Sequence, residues 1–218
     1  MLTYTEENYL KAIFHLSGGG DKEVSTNSIS ESMSTKPASV SDMLKKLSQK
    51  NLINYEKYKG LTITKEGIKT ALQVIRKHRL WEVFLVEKLK FNWDEVHEVA
   101  EELEHIRSNY LVERMDEFLG FPQYDPHGDP IPDSNGQIKA KNKISLTELP
   151  VNNEGIVVGV KESTSAFLKY LDKSGIHLGA KIKVLDKIEF DGSIEIEIDN
   201  KKTLIVSQKV SDNIFVTD

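Results

Sequence analysis

The chain contains no cysteine. That absence excludes disulfides, zinc ribbons, iron–sulfur clusters and thiol nucleophiles, and it limits any metal site to nitrogen and oxygen ligands, which suits manganese or iron(II). No apolar run approaches the roughly 18 residues needed to span a bilayer. The stretch MLTYTEENYLKAIFHL lacks the basic start and cleavage site of a secretory signal. A cytoplasmic protein with no membrane partner is expected. Gly18–Gly20 are followed by Asp21 rather than Lys-Ser/Thr, so there is no phosphate-cradling loop. Neither a Ser/His/Asp triad motif nor an H-E-x-x-H pattern occurs, so neither an enzyme nor a small organic substrate is expected. Proline is scarce, and four of the six fall in FPQYDPHGDPIPDSNGQ, which reads as a linker.

What is present describes a globular protein: 218 residues, 39% hydrophobic and 29% charged. The net charge of −5 is unevenly spread, with ten Lys/Arg against eight Asp/Glu in residues 1–70 and nineteen against twenty-six beyond. The N-terminal third is therefore mildly basic and permits a DNA-binding role.

The pattern along the chain predicts a helix from an N-cap at Thr5 to about Leu16, with Tyr9, Leu10, Ile13 and Phe14 apolar. A short helix follows at Thr26–Met33. A third begins at Pro37, a favoured first position, and runs to Gln49, burying Val40, Met43 or Leu44, and Leu47. LINYEKYKGLTITKEG alternates as a hairpin around Lys59-Gly60. Three helices and a hairpin make a winged helix-turn-helix. The third helix opens with small and polar residues able to approach base edges, namely Lys36, Pro37, Ala38, Ser39 and Ser41, with Lys45 further along. Lys57, Tyr58 and Lys59 at the wing tip suit the phosphate backbone.

Two long helices are predicted over about 65–90 and 93–119. On the second, His97, Glu101, Glu104 and His105 fall on one stripe at helical spacing, and His78 and Glu82 repeat the i,i+4 pairing on the first. A Glu-rich helix face also arises from plain solvation. The second pair and the DNA-binding pattern upstream favour a divalent-cation region instead. From about residue 145, short alternating runs (IVVGV, KIKVLDKIEF, SIEIEID, TLIVS) predict a small β-barrel.

Together, EENYLKAIFHL, KPASVSDMLKKL, INYEKYKGLTITKEG, RKHRLWEVFL, VHEVAEELEHIRS and DPHGDPIP resemble the DtxR/MntR family of metal-dependent transcriptional repressors. SLTELPVNNEGIVVGV and YLDKSGIHLGAKIKVL are similar to its C-terminal module. The resemblance implies an α+β fold with an N-terminal winged helix-turn-helix (1–64), a helical dimerisation and metal-binding domain (65–120), a linker (121–144) and a C-terminal SH3-like (FeoA-like) β-barrel (145–218). It implies a homodimer on double-stranded DNA at a palindromic operator, with two metal sites per subunit. Position by position, the primary ligands fall on Asn8, Glu101, Glu104 and His105, and the ancillary ones on His78, Glu82 and His97, with Glu162 as a barrel contribution. A carboxylate at Glu101 favours Mn2+, with Fe2+ the alternative. In this reading the clustered carboxylates repel without metal and leave the DNA-binding heads mobile. The sequence departs from the family at Asn8, which is usually Met or Asp, and at Ala166, a Gln ligand elsewhere. Lys11 also departs, replacing a Glu ligand of the two-domain manganese regulators, and a cation there argues against a closely bridged metal pair. A small metal-dependent hydrolase is the rival class.

Overall fold

The computed structural model describes residues 2–56, 60–138 and 143–217. Two compact units emerge, and they interleave along the chain. The first comprises residues 1–78, 102–110 and 132–137; the second comprises 79–101, 111–131 and 138–218.

The first unit is built on α1 (Tyr4–Leu16), α2 (Thr26–Ser32), α3 (Pro37–Gln49), the hairpin β1 (Ile53–Tyr55) and β2 (Leu61–Ile63), and the start of α4 (Lys65–Glu87). Helix α1 begins earlier than the sequence reading placed it. Its N-cap is Thr3 rather than Thr5, and Thr3 and Glu6 form a reciprocal capping box. Glu6 is held further by Lys50, whose Nζ donates to both carboxylate oxygens at 2.6 and 2.8 Å. Pro37 opens α3, which has no side-chain cap. Tyr9, Leu10, Ile13, Ile29, Val40, Leu44 and Leu47 close the core against Ile53 and Leu61. Val24 adds a third short rung by exchanging hydrogen bonds with Leu61. Gly67 lets α4 leave this core: a Cβ there would sit 2.1 Å from the Leu52 carbonyl oxygen. The wing-tip residues Lys57, Tyr58 and Lys59 lie outside the described residues.

The second unit contains the rest of α4, most of α5 (Val96–Leu103) and of α6 (Asn109–Phe118), and the C-terminal sheet. That sheet has six antiparallel strands in the order β3-β8-β4-β5-β6-β7. They are β3 (Ile144–Ser145), β4 (Glu154–Val160), β5 (Lys181–Lys187), β6 (Ile194–Ile198), β7 (Lys202–Val206) and β8 (Ile214–Thr217), with α7 (Ser165–Ser174) and the short α8 (Gln208–Ser211) between them. Bulges in β4 and β5 bend the sheet around its core. Trp93 joins that core with Leu168, Leu171, Ile182 and Ile196, and its Nε1 donates to Asp172 at 3.1 Å.

Two readings need correction. The stretch 93–119 is not one helix: α5 ends at Leu103 and α6 starts at Asn109. Glu104 and His105 occupy the turn between them, gripped by side chains of α1 and α4 rather than continuing a stripe with His97 and Glu101. Ser108, immediately before α6, is of a type that favours the N-cap position. The proline-rich segment is also more than a spacer, since Asp125, Pro126, His127 and Gly128 are buried. Asp125 Oδ1 accepts from the backbone N–H of His127 (2.8 Å) and Asp129 (2.9 Å), closing a compact Asx turn. Gly128, at φ +83, packs so tightly on β4 that a Cβ would lie 1.8 Å from the Val158 carbonyl oxygen. No helix among the described residues is long and apolar enough to cross a membrane.

Candidate metal centre

In the first unit, Glu104 and His105 are buried at the turn after α5. Lys11 Nζ, from α1, donates to Glu104 Oε1 at 2.7 Å and Oε2 at 2.8 Å. His78 Nδ1, from α4, lies 2.6 Å from Glu104 Oε2. Burial alone would raise the Glu104 pKa, but His78 and Lys11 outweigh it and hold the carboxyl below its ordinary value. His105 Nδ1 lies 2.6 Å from Glu7 Oε2, and its ring stacks on Tyr4 at 4.7 Å between centroids. A carboxylate at Nδ1 is the arrangement commonly found behind a metal-binding imidazole, and Nε2 lies 3.7 Å from Glu104 Oε1. Lys77 is buried close by, its ammonium pulled down in pKa by burial against the pull of Glu7 and Glu104.

Asn8 belongs to the same first helix as Tyr4 and Lys11. On α1 it lies four residues after Tyr4, which stacks on His105, and three before Lys11, which reaches Glu104, so it shares their face. Its Oδ1 is buried and accepts no hydrogen bond. A buried, unbonded carbonyl oxygen on the helix face whose other side chains reach a carboxylate and an imidazole adds the kind of donor a hard or borderline divalent cation takes. The residues therefore fit a metal ion.

A second group lies within the second unit. Glu82 is almost fully buried; its Oε2 is 3.6 Å from His127 Nδ1 and its Oε1 is 3.5 Å from His97 Nδ1. His97 Nε2 is in turn 3.6 Å from Glu101 Oε1. Glu82, Asp125 and His127 each offer one ligand atom within 4.8 Å of the others. Burial and the facing carboxylates of Glu82 and Asp129 push Asp125 up to about 7, against Arg79 and His127. Burial pulls His127 down, but Glu82, Asp125 and the Trp93 carbonyl dominate and raise it to about 9. Arg79 bridges the turn, 3.4 Å from Asp125 and 3.5 Å from Asp129.

Against the sequence expectations, Asn8, Glu104 and His105 come together in one unit, and Glu82, His97 and Glu101 in the other. His78, grouped with Glu82 and His97 in the sequence reading, also hydrogen-bonds Glu104. Glu162 is exposed just after β4. Sequence reasoning did not single out Glu7, Lys77, Asp125 or His127 as partners. For the last two a signal existed: a histidine between two Asp-bearing turns in the one proline-dense stretch.

The residues expected to meet DNA stand at the start of α3. Lys36, Pro37, Ala38 and Ser39 are exposed, and the Ser41 hydroxyl donates to the Pro37 carbonyl at 3.0 Å. Lys45 is exposed and paired with Asp42 at 3.0 Å.

The fold is that of a winged-helix protein whose first unit carries a cluster of nitrogen and oxygen donors fit for a metal ion. The chain matches the N-terminal DNA-binding domain of the iron-dependent repressors over residues 1–61, their metal-binding and dimerisation domain over 64–133 and the FeoA domain over 144–218. It is 32% identical over 167 residues to the iron-dependent repressor IdeR of Mycobacterium tuberculosis, covering 72% of this chain and 71% of that protein. A manganese-dependent transcriptional repressor solved in complex with manganese superposes with a TM-score of 0.78 at 34% identity, over 98% of this chain and 99% of that one. The manganese regulator SloR gives 0.67 at 35% identity over the whole of both chains. The chain belongs to the iron-dependent repressor (DtxR/MntR) family of metal-dependent, DNA-binding transcriptional repressors, which are not enzymes.

Proposed function

We propose that this protein is a manganese-activated repressor of metal-homeostasis genes, acting in the cytoplasm as a homodimer on a palindromic operator. The observation that carries the reading is the buried, unbonded Oδ1 of Asn8 on the α1 face that meets Glu104 and His105. Asn8, Glu104 and His105 would hold the primary ion, with Glu101 assigned to it from sequence. Glu82, His97, Asp125 and His127 form the natural second set, to which sequence adds His78 and Glu162. The segments would divide as 1–64 for DNA, 65–120 for dimerisation and metal, 121–144 for the linker and 145–218 for the barrel.

A bound cation would supply a Lewis-acidic positive charge shared by these donors. The chain's own residues do the rest. Asn8 belongs to the helix that supports the recognition helix, whereas Glu104 and His105 belong to the dimerisation segment. Drawing them together restrains the head and favours the DNA-competent state, and operator binding reciprocally tightens the metal site. A coupling of about 1–3 kcal/mol is usual for such switches. Exposed Leu89, Leu111, Phe118 and Phe121 in the second unit supply apolar surface suited to a dimer contact. The recognition helix presents Ser and Ala rather than Arg or Asn, so sequence readout leans on methyl contacts, water and DNA shape.

The carboxylate at Glu101 and the absence of sulfur ligands support manganese; the similarity to an iron-dependent repressor keeps iron(II) as the second reading. The test is selection of genomic DNA fragments by metal-stripped protein with manganese, with anaerobic iron(II) and with chelator. Enrichment of a palindrome with manganese alone is the expected result, and better enrichment with iron(II) would reassign the metal. Equal enrichment under chelator would defeat metal activation. His105→Ala should lose the manganese response while remaining dimeric by light scattering.

A further inference from the structure

We propose that Lys11 is a built-in cation that occupies the chelating edge of Glu104 and so sets how much divalent metal the protein requires. The proposal rests on the reading of Asn8, Glu104 and His105 as a metal site.

Its basis is geometric. Lys11 Nζ stands 2.7 and 2.8 Å from the two oxygens of one carboxylate, nearly equidistant from both. That position lies on the side of the carboxylate where a chelated cation would sit. Glu104 is fully buried, so no solvent competes for it, and its Oε2 is also engaged by His78 at 2.6 Å. Any incoming cation meets a carboxylate already subscribed by a charge-assisted pair, the stronger class of hydrogen bond. It must displace the ammonium or bind beside it, and either course lowers affinity.

The charges around the site complete the argument. Glu7 and Glu104 are faced by two ammonium groups, Lys11 and Lys77, and by the imidazoles of His78 and His105. The metal-free cluster is thus charge-matched rather than a set of repelling carboxylates, contrary to the sequence expectation. Lys11 also links α1 to the turn after α5 without metal, partly doing what the ion would do. A lysine suits this role because its flexible stem can withdraw the charge to water while staying packed. The Lys11 side chain is 16% exposed, so a route to solvent is open.

The test is manganese titration of purified full-length protein, reading free Mn2+ by electron paramagnetic resonance, for wild type, Lys11→Met, Lys11→Gln and Lys11→Arg. Glu104→Gln identifies which equivalent belongs to this site. Lys11→Met should bind that equivalent at least about ten-fold more tightly, the lower end expected for releasing a hydrogen bond to a charged group. Lys11→Gln, which keeps a donor without the charge and guards against misfolding of the Met variant, should lie between. Lys11→Arg should stay near wild type. In chelator, Lys11→Met should melt below wild type, and manganese should close the gap. Unchanged or weaker manganese binding by Lys11→Met and Lys11→Gln, with a Glu104-dependent site intact in wild type, would overturn the proposal. If wild type shows no Glu104-dependent equivalent at all, the reading of the site fails and the proposal falls with it.

Discussion

The two clusters of His, Glu and Asp use the same side chains under opposite electrostatic conditions. Around Glu104 the protein supplies its own cations, Lys11 and Lys77, and the carboxyl is held below its ordinary pKa. Around Glu82 the carboxylates of Asp125 and Asp129 are answered by Arg79 and a charged His127, and Asp125 is driven up toward neutrality. The first cluster is complete as folded; the second is short of positive charge. A motif of His and Glu at helical spacing is therefore only half a description of a metal site. Which cations the neighbouring elements bring decides whether an added ion relieves repulsion or must compete with a resident.

The largest expected effect comes from breaking the first cluster. Glu104→Ala removes the buried partner of both Lys11 and His78 and should cost roughly 1.5–3 kcal/mol, the range for hydrogen bonds to charged groups, since Lys11 can still reach solvent. Differential scanning calorimetry in chelator measures it; a loss under 1 kcal/mol would show that the pairing around Glu104 is weak. Next, His127→Gln should weaken one manganese equivalent by at least about ten-fold while leaving the Glu104-dependent equivalent untouched, as read by the same metal titration. Loss of both equivalents together would merge the two clusters into one.

The third prediction uses pH. Glu104 is lowered from 4.5, so its stabilisation is present above that value and is lost as pH falls below it. His127 is raised from 6.5 to about 9, so its contribution is full below 6.5 and is lost as pH climbs through 9. Asp125, raised from 3.8 to about 7, acts in the same direction: its ionisation penalises the fold progressively between those values. Metal-free protein should thus weaken in the first unit on acidification and in the second on alkalinisation. Circular dichroism melts from pH 3.5 to 9.5 test this, and His127→Gln should flatten only the alkaline limb. The smallest effect concerns DNA: Lys59→Ala should reduce the salt-dependence slope of operator binding by about one, and an unchanged slope would remove the wing from the contact.

Much of this was legible in the sequence, and the reasons for the rest are local. The first three helices and the wing announce themselves through Pro37, the apolar spacing of Val40, Leu44 and Leu47, and the alternation in LTI. The Thr3-to-Glu6 capping box was also readable, since it fits the S/T-x-x-E signature, whereas Thr5 falls inside the helix. The break after Leu103 was not readable. EELEHIRSN contains no Gly or Pro, and its interruption comes from Lys11, His78 and Glu7, residues distant in sequence. Likewise, proline density in DPHGDP signals a loop but says nothing of burial, which the Asp125 turn and the missing Cβ of Gly128 bring about.

Both tryptophans of the chain, Trp81 and Trp93, lie in the second unit, one with a buried indole N–H that has no acceptor and the other inside the β-sheet core. Intrinsic emission excited at the red edge is therefore a one-sided optical probe. It follows the dimerisation helices and the barrel, and it is blind to the DNA-binding head. With no native thiol to compete, a single cysteine introduced on exposed α3 would accept a dye cleanly and give the silent head a colour of its own.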